Sequence, residues 1–289
     1  MRSIDVVVVL ETDHEIKAAS MNTSIDAATV RNVHLAINAA HRFVYFVPEA
    51  AEEYAALGVN GFGGYFGSRA APLGPVPAEV VLATFYNFSP RAVSAGMANV
   101  WNTAEPAALQ AARFRVVDRA LERVGVSLSL DAIAEARSLI DPVVAGLDLA
   151  GKPLAAANAA VVLPDDSLVA LWQQVTVLRE WRGDVHIALL VTNELGPCDC
   201  MVVQVGTGRF PLALTQASRQ WNEQEWAAAI VRLAERGWVD AEGAMTAAGI
   251  EARERIEVET DRLCAPIWQP IGGSGTARLT QLLAPITAS

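Results

Sequence analysis

Apolar side chains in this chain recur at the spacing of a helix and not of a strand, and that periodicity restricts the architectures open to it. Between Asp26 and Phe46, residues Val33, Ile37, Ala40 and Val44 stand at i, i+4, i+7 and i+11, one face of a single helix. Pro48 ends or kinks it, and residues 49–57 continue it. The same pattern predicts helices over 78–86, 90–101, 105–124, 130–147 and 153–162, with Ser89 as an N-cap and Pro90 at a first helical position. In 105–124 it turns Leu109, Ala112, Val116, Val117 and Leu121 inward and Arg113, Arg119 and Arg123 outward. Asp165 or Asp166 caps a helix that runs to Trp181 and stops at Gly183; Asp184 opens another, which Gly196-Pro197 breaks. Residues 58–77 hold six glycines and three prolines and read as a long loop, functional or packed as an Ω-loop.

The last 80 residues have a different order. Residues 211–221, 222–237 and 246–263 read as helices, with Asn222 and Thr246 as caps, Trp238–Met245 as a short β-like connection and 276–283 as a final helix after a glycine-rich hinge. Helix, helix, tight hairpin, helix is the order of a winged helix. The string VRLAERGWVDAEGAMTAAGIEARERIE, residues 231–257, resembles the tail of MarR-type winged helices, in which a leucine and Arg-Gly lead into the wing. The stretches VYFVPE (44–49), GYFGSRAAPLGPVPAEVV (64–81) and WRGDVH (181–186) resemble a group of uncharacterised actinobacterial proteins with a carboxyl-terminal winged-helix-like segment. That resemblance implies a fold more than an activity. The expected fold is all-α: a short strand or extension over 1–25 (Val6–Leu10 being β-branched and apolar), a multihelical ligand-pocket domain over 26–205, and a winged-helix-like domain with a short β-hairpin over 206–289.

Composition narrows the partners. The 289 residues carry a net charge of −10, only Lys17 and Lys152 are lysines, and no basic run occurs, so nucleic acid and anionic lipid are disfavoured as partners. From Arg209 to Cys264 seven arginines stand against ten acids, and the presumed recognition helix opens Asn222-Glu223-Gln224-Glu225, with carboxylates where phosphate would approach. No aliphatic run approaches the ~20 residues of a membrane span. Three cysteines do not make a disulfide framework, and the amino terminus lacks the long apolar stretch of a signal peptide, so a cytoplasmic location is expected.

The chemistry-bearing residues cluster early. All four tyrosines and six of eight phenylalanines fall between Phe43 and Phe88. Phe43, Tyr65, Phe66, Phe85, Tyr86 and Phe88 would wall a pocket for a small apolar or aromatic molecule, with Arg69 as an anion or carbonyl anchor. An ordinary core of large side chains is the competing reading. His34, Asn38, His41 and Tyr45 form one polar stripe of the first helix, in which Asn38 would bind ligand and His41 and Tyr45 would act as acid and base. His186, in the first turn of the helix opened by Asp184, would be held neutral by the helix dipole and able to accept a proton. Cys198-Asp199-Cys200 lacks the further ligands that a metal site needs, no cofactor motif is visible, and a haem held by His41 or His186 is compatible with an aromatic pocket without being required. Two functions follow as expectations: a cofactor-independent enzyme doing acid/base chemistry on an apolar substrate, and, alternatively, a ligand-responsive winged-helix regulator that binds DNA as a homodimer.

Overall fold

The structure is a computed structural model and describes residues 25–126, 128–208 and 210–287. The expected strand at Val6–Leu10 lies outside the described residues. Helices α1 (Ala27–Arg42), α2 (Pro48–Ala55), α3 (Phe62–Ala70), α4 (Ala78–Phe85), α5 (Pro90–Met97), α6 (Val100–Thr103), α7 (Pro106–Arg123), α8 (Leu130–Ala145) and α9 (Pro153–Ala159) form the first part of the chain. Helices α10 (Ser167–Thr192), α11 (Pro197–Gly206), α12 (Leu212–Arg219), α13 (Glu223–Glu235), α14 (Ala247–Cys264) and α15 (Gly272–Thr287) complete it.

The all-α expectation holds, but the β-hairpin does not. Among the described residues, extended pairing is confined to a single antiparallel bridge between Val239 and Met245. The segment between them is too short for a ladder: Asp240 accepts from Glu242 and Ala244 through its side chain, and Gly243 takes φ +87°. Ser89, Asp166, Asn222 and Thr246, read as caps from sequence, each accept from the first turn of their helix, and Asp26 does the same for α1.

Helix α10 is the axis of the molecule. Its 26 residues pass through Gly183 without a break, spanning ~39 Å at 1.5 Å per residue. From Val169 to Trp181 it is buried nearly all round, as befits a helix packed on every side. Helices α1, α8, α9 and α14 lie against it. Asp184 caps a helix as expected, but not its own: its carboxylate accepts from Leu154 and Ala155 N–H at 3.1 and 3.0 Å, closing the start of α9.

Two further expectations are corrected. The glycine-rich 58–77 is largely helical, because α3 needs its glycines for close packing: a Cβ on Gly64 would lie 2.6 Å from Tyr54, and one on Gly67 2.7 Å from Val100. Arg113 points inward, fully buried against Trp172, whereas Arg119 and Arg123 are on the surface and pair with Glu52, Glu53 and Glu49 of α2.

Two hydrophobic cores result. The larger is built from α1 to α10 together with Cys264, Trp268 and the buried face of α15 (Leu279, Leu282, Leu283, Ile286). The smaller gathers Leu190, Leu195, the α11 side chains, Trp226, Ala229 and Leu233 of α13, Trp238, Val239, and Ala252 and Ile256 of α14.

Candidate functional site

A cavity of about 280 Å³ opens where the two cores meet. Small-molecule sites run from about 300 to 1,000 Å³, so this cavity has room for a small molecule only. Helix α1 contributes His34, Ile37 and Asn38; α3 contributes Tyr65 and Arg69; the α4–α5 turn contributes Phe85 to Phe88. Helix α10 contributes Arg179, Glu180, Arg182, Gly183, Asp184 and His186, α14 contributes Arg253 and Glu257, and Arg219 enters from the last residue of α12.

Of the residues singled out by sequence, Asn38, Tyr65, Arg69, Phe85, Tyr86, Phe88 and His186 border this cavity; Phe43, His41, Tyr45 and Phe66 do not. Phe66 is a core residue, with Phe85 and Phe88 packed on it at ring separations of 6.1 and 4.9 Å. Phe43 packs against the same core. The aromatic cluster is therefore mostly interior, and guanidiniums cover the rings that reach the cavity. Arg69 stands 4.1 Å over Phe85, and Arg219 stands 4.3 Å over Phe88.

The arginines are what the sequence hid. Five of them, Arg69, Arg179, Arg182, Arg219 and Arg253, line the cavity against three carboxylates, Glu180, Asp184 and Glu257. Glu180 receives both Arg179 and Arg69, while Glu257 receives Arg182 and Arg253. Burial opposes ionisation of Glu180 and Glu257, but the adjacent arginines outweigh it and hold both below the usual carboxylate range. Burial pushes Asp184 up to about 6, against its two backbone hydrogen bonds. Of this cluster the sequence marks Arg69 alone, since the members come from α3, α10, α12 and α14.

The histidines are fixed as neutral tautomers. The Thr176 hydroxyl donates to the Trp172 carbonyl at 2.9 Å, so it can only accept from His41 Nδ1, also at 2.9 Å. His41 Nε2 then accepts from the Tyr45 hydroxyl. With both ring nitrogens engaged, His41 does not offer an axial position to a haem. His186 repeats the device: Thr260 donates to Ile256 O at 2.7 Å and accepts from His186 Nδ1 at 2.9 Å, leaving the Nε2 lone pair as an acceptor. Its neutrality comes from burial and the nearby Arg182 and Arg253, and not from a helix dipole, because His186 lies in the interior of α10. His34 has the same tautomer for another reason. The Trp268 indole N–H, a donor only, lies 3.3 Å from His34 Nε2, so Nδ1 carries the proton, and it has no hydrogen-bond partner. Burial lowers the His34 and His41 pKa values well below the ordinary range.

Cys198 and Cys200 are buried thiols, each pushed up to about 12 by desolvation, and Cys200 donates to the Pro197 carbonyl. Among the described residues no three His, Cys, Asp or Glu converge as a metal site, and no helix is long and apolar enough to cross a membrane.

The cavity wall is continuous with a helix–turn–helix connection. Helices α12 and α13 are joined by Gln220 to Asn222, a turn of the length such motifs use, with Gln220 in the left-handed region at φ 55°. The α4–α5 turn is fastened to it: Ser89 N–H donates to Arg219 O at 3.0 Å and Trp221 Nε1–H to Asn87 O at 3.1 Å. Arg91 adds a bidentate pair to Glu225, at 2.9 and 2.8 Å, and a bond to Gln220 O. The outward side of α13 presents Glu223, Gln224, Ala227, Ala228, Val231 and Glu235, and the connection after it presents Asp240 and Glu242.

Neither the curated proteins nor the solved structures contain a significant match to the chain. A family profile does match, over residues 30–289, from α1 to α15, and so is not confined to the segment that resembles MarR-type proteins. The chain belongs to a helix-turn-helix family.

Proposed function

We propose that the protein is a ligand-responsive helix-turn-helix regulator: a small molecule held between the two cores sets the placement of α12 and α13, and those helices contact DNA. The observation that carries this reading is the position of Arg219. It is at once the last residue of α12, the start of the helix–turn–helix connection and a wall of the cavity. A ligand touching Arg219, Asn87 and Phe88 bears on the hydrogen bonds that hold the turn, so occupancy and the pose of α13 share one set of contacts. Two sites with shared contacts in a two-state element are the physical requirement for coupling.

The outer face of α13 shapes what DNA binding can be. Its free side chains are neutral or acidic, and Arg91, Arg232 and Arg236 are already engaged with Glu225, Asp199 and the carbonyls that end α10. Phosphate contact therefore calls for two copies, each adding its few cations, and the exposed Phe210, Leu212 and Leu214 at the start of α12 offer an apolar patch for such a homodimer. The acidic face favours a second reading, in which the fold serves as a binder or enzyme for the small molecule and His186 Nε2 is the proton acceptor.

The two readings part in a fluorescence-anisotropy titration with sheared genomic DNA at low salt, run alongside light scattering. The regulator reading expects a dimer whose DNA affinity falls steeply with salt. No anisotropy change at micromolar protein would sink it and leave the binder, for which His186→Asn should abolish turnover while ligand affinity is kept.

A further inference from the structure

The ligand class can be read from the cavity. This step rests on the reading that a small molecule occupies it. Arginines fill places where an apolar molecule would stack: Arg69 and Arg219 stand over the Phe85 and Phe88 rings. The lining holds two more guanidiniums than carboxylates, inside a chain whose net charge is −10. A long-range pull on anions therefore does not explain the excess; it is built into this one place. Asp184 is also committed elsewhere, to the first turn of α9.

The hydrogen-bond donors are unfilled in the same region. Among the described residues no carboxylate pairs with Arg219, whose recorded contacts are Ser218 Oγ at 3.3 Å and the Phe88 ring. Arg69 Nε, Arg219 Nε, Arg182 Nε and His34 Nδ1 are buried and without a partner, and all four side chains line the cavity. Each is a donor, and a buried donor left without an acceptor is destabilising. Protein groups do not supply the matching acceptors. Ile37, Ile187, Leu190 and Ile256 form much of the remaining lining.

We infer that the cavity takes a small organic anion, an oxyanion head received by Arg219 and Arg69, on a compact apolar body. A carboxylate and a phosphate head share this chemistry: paired anionic oxygens that accept from forked guanidiniums. The cavity volume limits the body to the size of a phenyl ring or a short alkyl chain.

The test is calorimetry on the full chain with matched probes: phenylacetate against phenylacetamide, hexanoate against hexanamide, and phenyl phosphate as the other head group. Each acid and amide pair has the same shape and differs in charge. The expected result is binding of one of the anions at least about tenfold tighter than its neutral partner, the effect of one charge-assisted hydrogen bond. Arg219→Gln should remove that preference and Arg219→Lys restore part of it. Comparing acid with amide on the unaltered chain needs no variant to fold. Equal affinities for acid and amide, or no binding of any anion at millimolar concentration, would overturn the inference. Adding the DNA titration separates it from the regulator reading. An anion that binds without changing DNA affinity leaves the ligand class standing and removes the switch, whereas a neutral amide that alone releases DNA does the reverse.

Discussion

Arg113 sits in the larger core, 1% exposed, with its guanidinium 4.9 Å from the Trp172 ring and no hydrogen bond from any of its three nitrogens. A cation–π contact of this kind gives back about 2 kcal/mol or somewhat more once desolvated, while a buried charge without a hydrogen-bonded partner costs several. Arg113→Met keeps the stem and removes the charge, so it should raise stability by about 1–3 kcal/mol in chemical denaturation. A loss would mean that the guanidinium holds something besides Trp172. The histidines make a second prediction. Burial holds His34, His41 and His186 below their ordinary range. In the unfolded chain each titrates near 6.5, so above that pH both states are neutral. As pH falls below it the unfolded chain takes up protons first, and stability drops by up to about 1.4 kcal/mol per pH unit for each histidine. Asp184 works in the opposite direction: at about 6 when folded, it adds stability as pH falls from there towards the ordinary aspartate value of 3.8. Three groups outweigh one, and thermal unfolding should show a melting temperature that is level from pH 8 to 7 and declines from 6.5 to 5. His41→Gln should reduce that slope by one proton.

At the scale of the element, the glycines divide into those that packing demands and those that it does not. A Cβ on Gly67 would meet Val100 at 2.7 Å and Leu109 at 3.1 Å, deep in the core, so Gly67→Ala should destabilise by about 1–3 kcal/mol through overpacking. Gly183 is in the interior of α10, and its Cβ would meet nothing closer than Glu180 at 3.7 Å. Gly183→Ala should stabilise by about 0.5–1 kcal/mol, the helix-propensity gain. Urea midpoints of the two variants give the comparison directly. The same pair explains what the sequence could tell. Periodicity and caps located α1, α7, α8, α13 and α14 closely, because amphipathic helices write their buried face into the chain. Helix α3 was hidden, since glycine spells a loop wherever the packing that requires it is unknown. The glycine at 183 reads as a stop in the sequence, yet α10 runs through it, because packing on α1, α8, α9 and α14 holds the helix together. The site divides in the same way. Arg69, His186 and the Tyr86–Phe88 turn lie close to elements with local signals, whereas Arg179, Arg182, Arg219 and Arg253 converge only through the tertiary fold. Arg113 was assigned to the surface for the reason that charge is usually solvated, and the core overrode it.

At the scale of the whole molecule, the chain returns to its beginning. Helix α15 follows α12, α13 and α14 in sequence but packs on α1, burying Leu279, Leu282, Leu283 and Ile286 in the larger core. Full burial of one such side chain is worth about 1.5–3 kcal/mol, so four of them contribute on the order of 6–12, comparable with the about 5–15 kcal/mol that holds a whole domain. Helix α1 in turn presents His34, Ile37 and Asn38 to the cavity, and Arg31 reaches from it to Glu254 and Asp261 of α14. The last helix thus supports one wall of the cavity from behind, through α1, and α1 in turn ties to α14. A chain ending at Ile271 should lose amide-exchange protection throughout α1 and lose anion binding with it. Helices α11 and α13, whose core is built from Met201, Val202, Trp226 and Leu233 without any α15 side chain, should keep theirs. Exchange mass spectrometry on the two chain lengths decides it. Equal loss in α1 and α13 would show that the two cores unfold as one unit, and a ligand in the cavity would then act on the stability of the whole molecule instead of on the pose of α13.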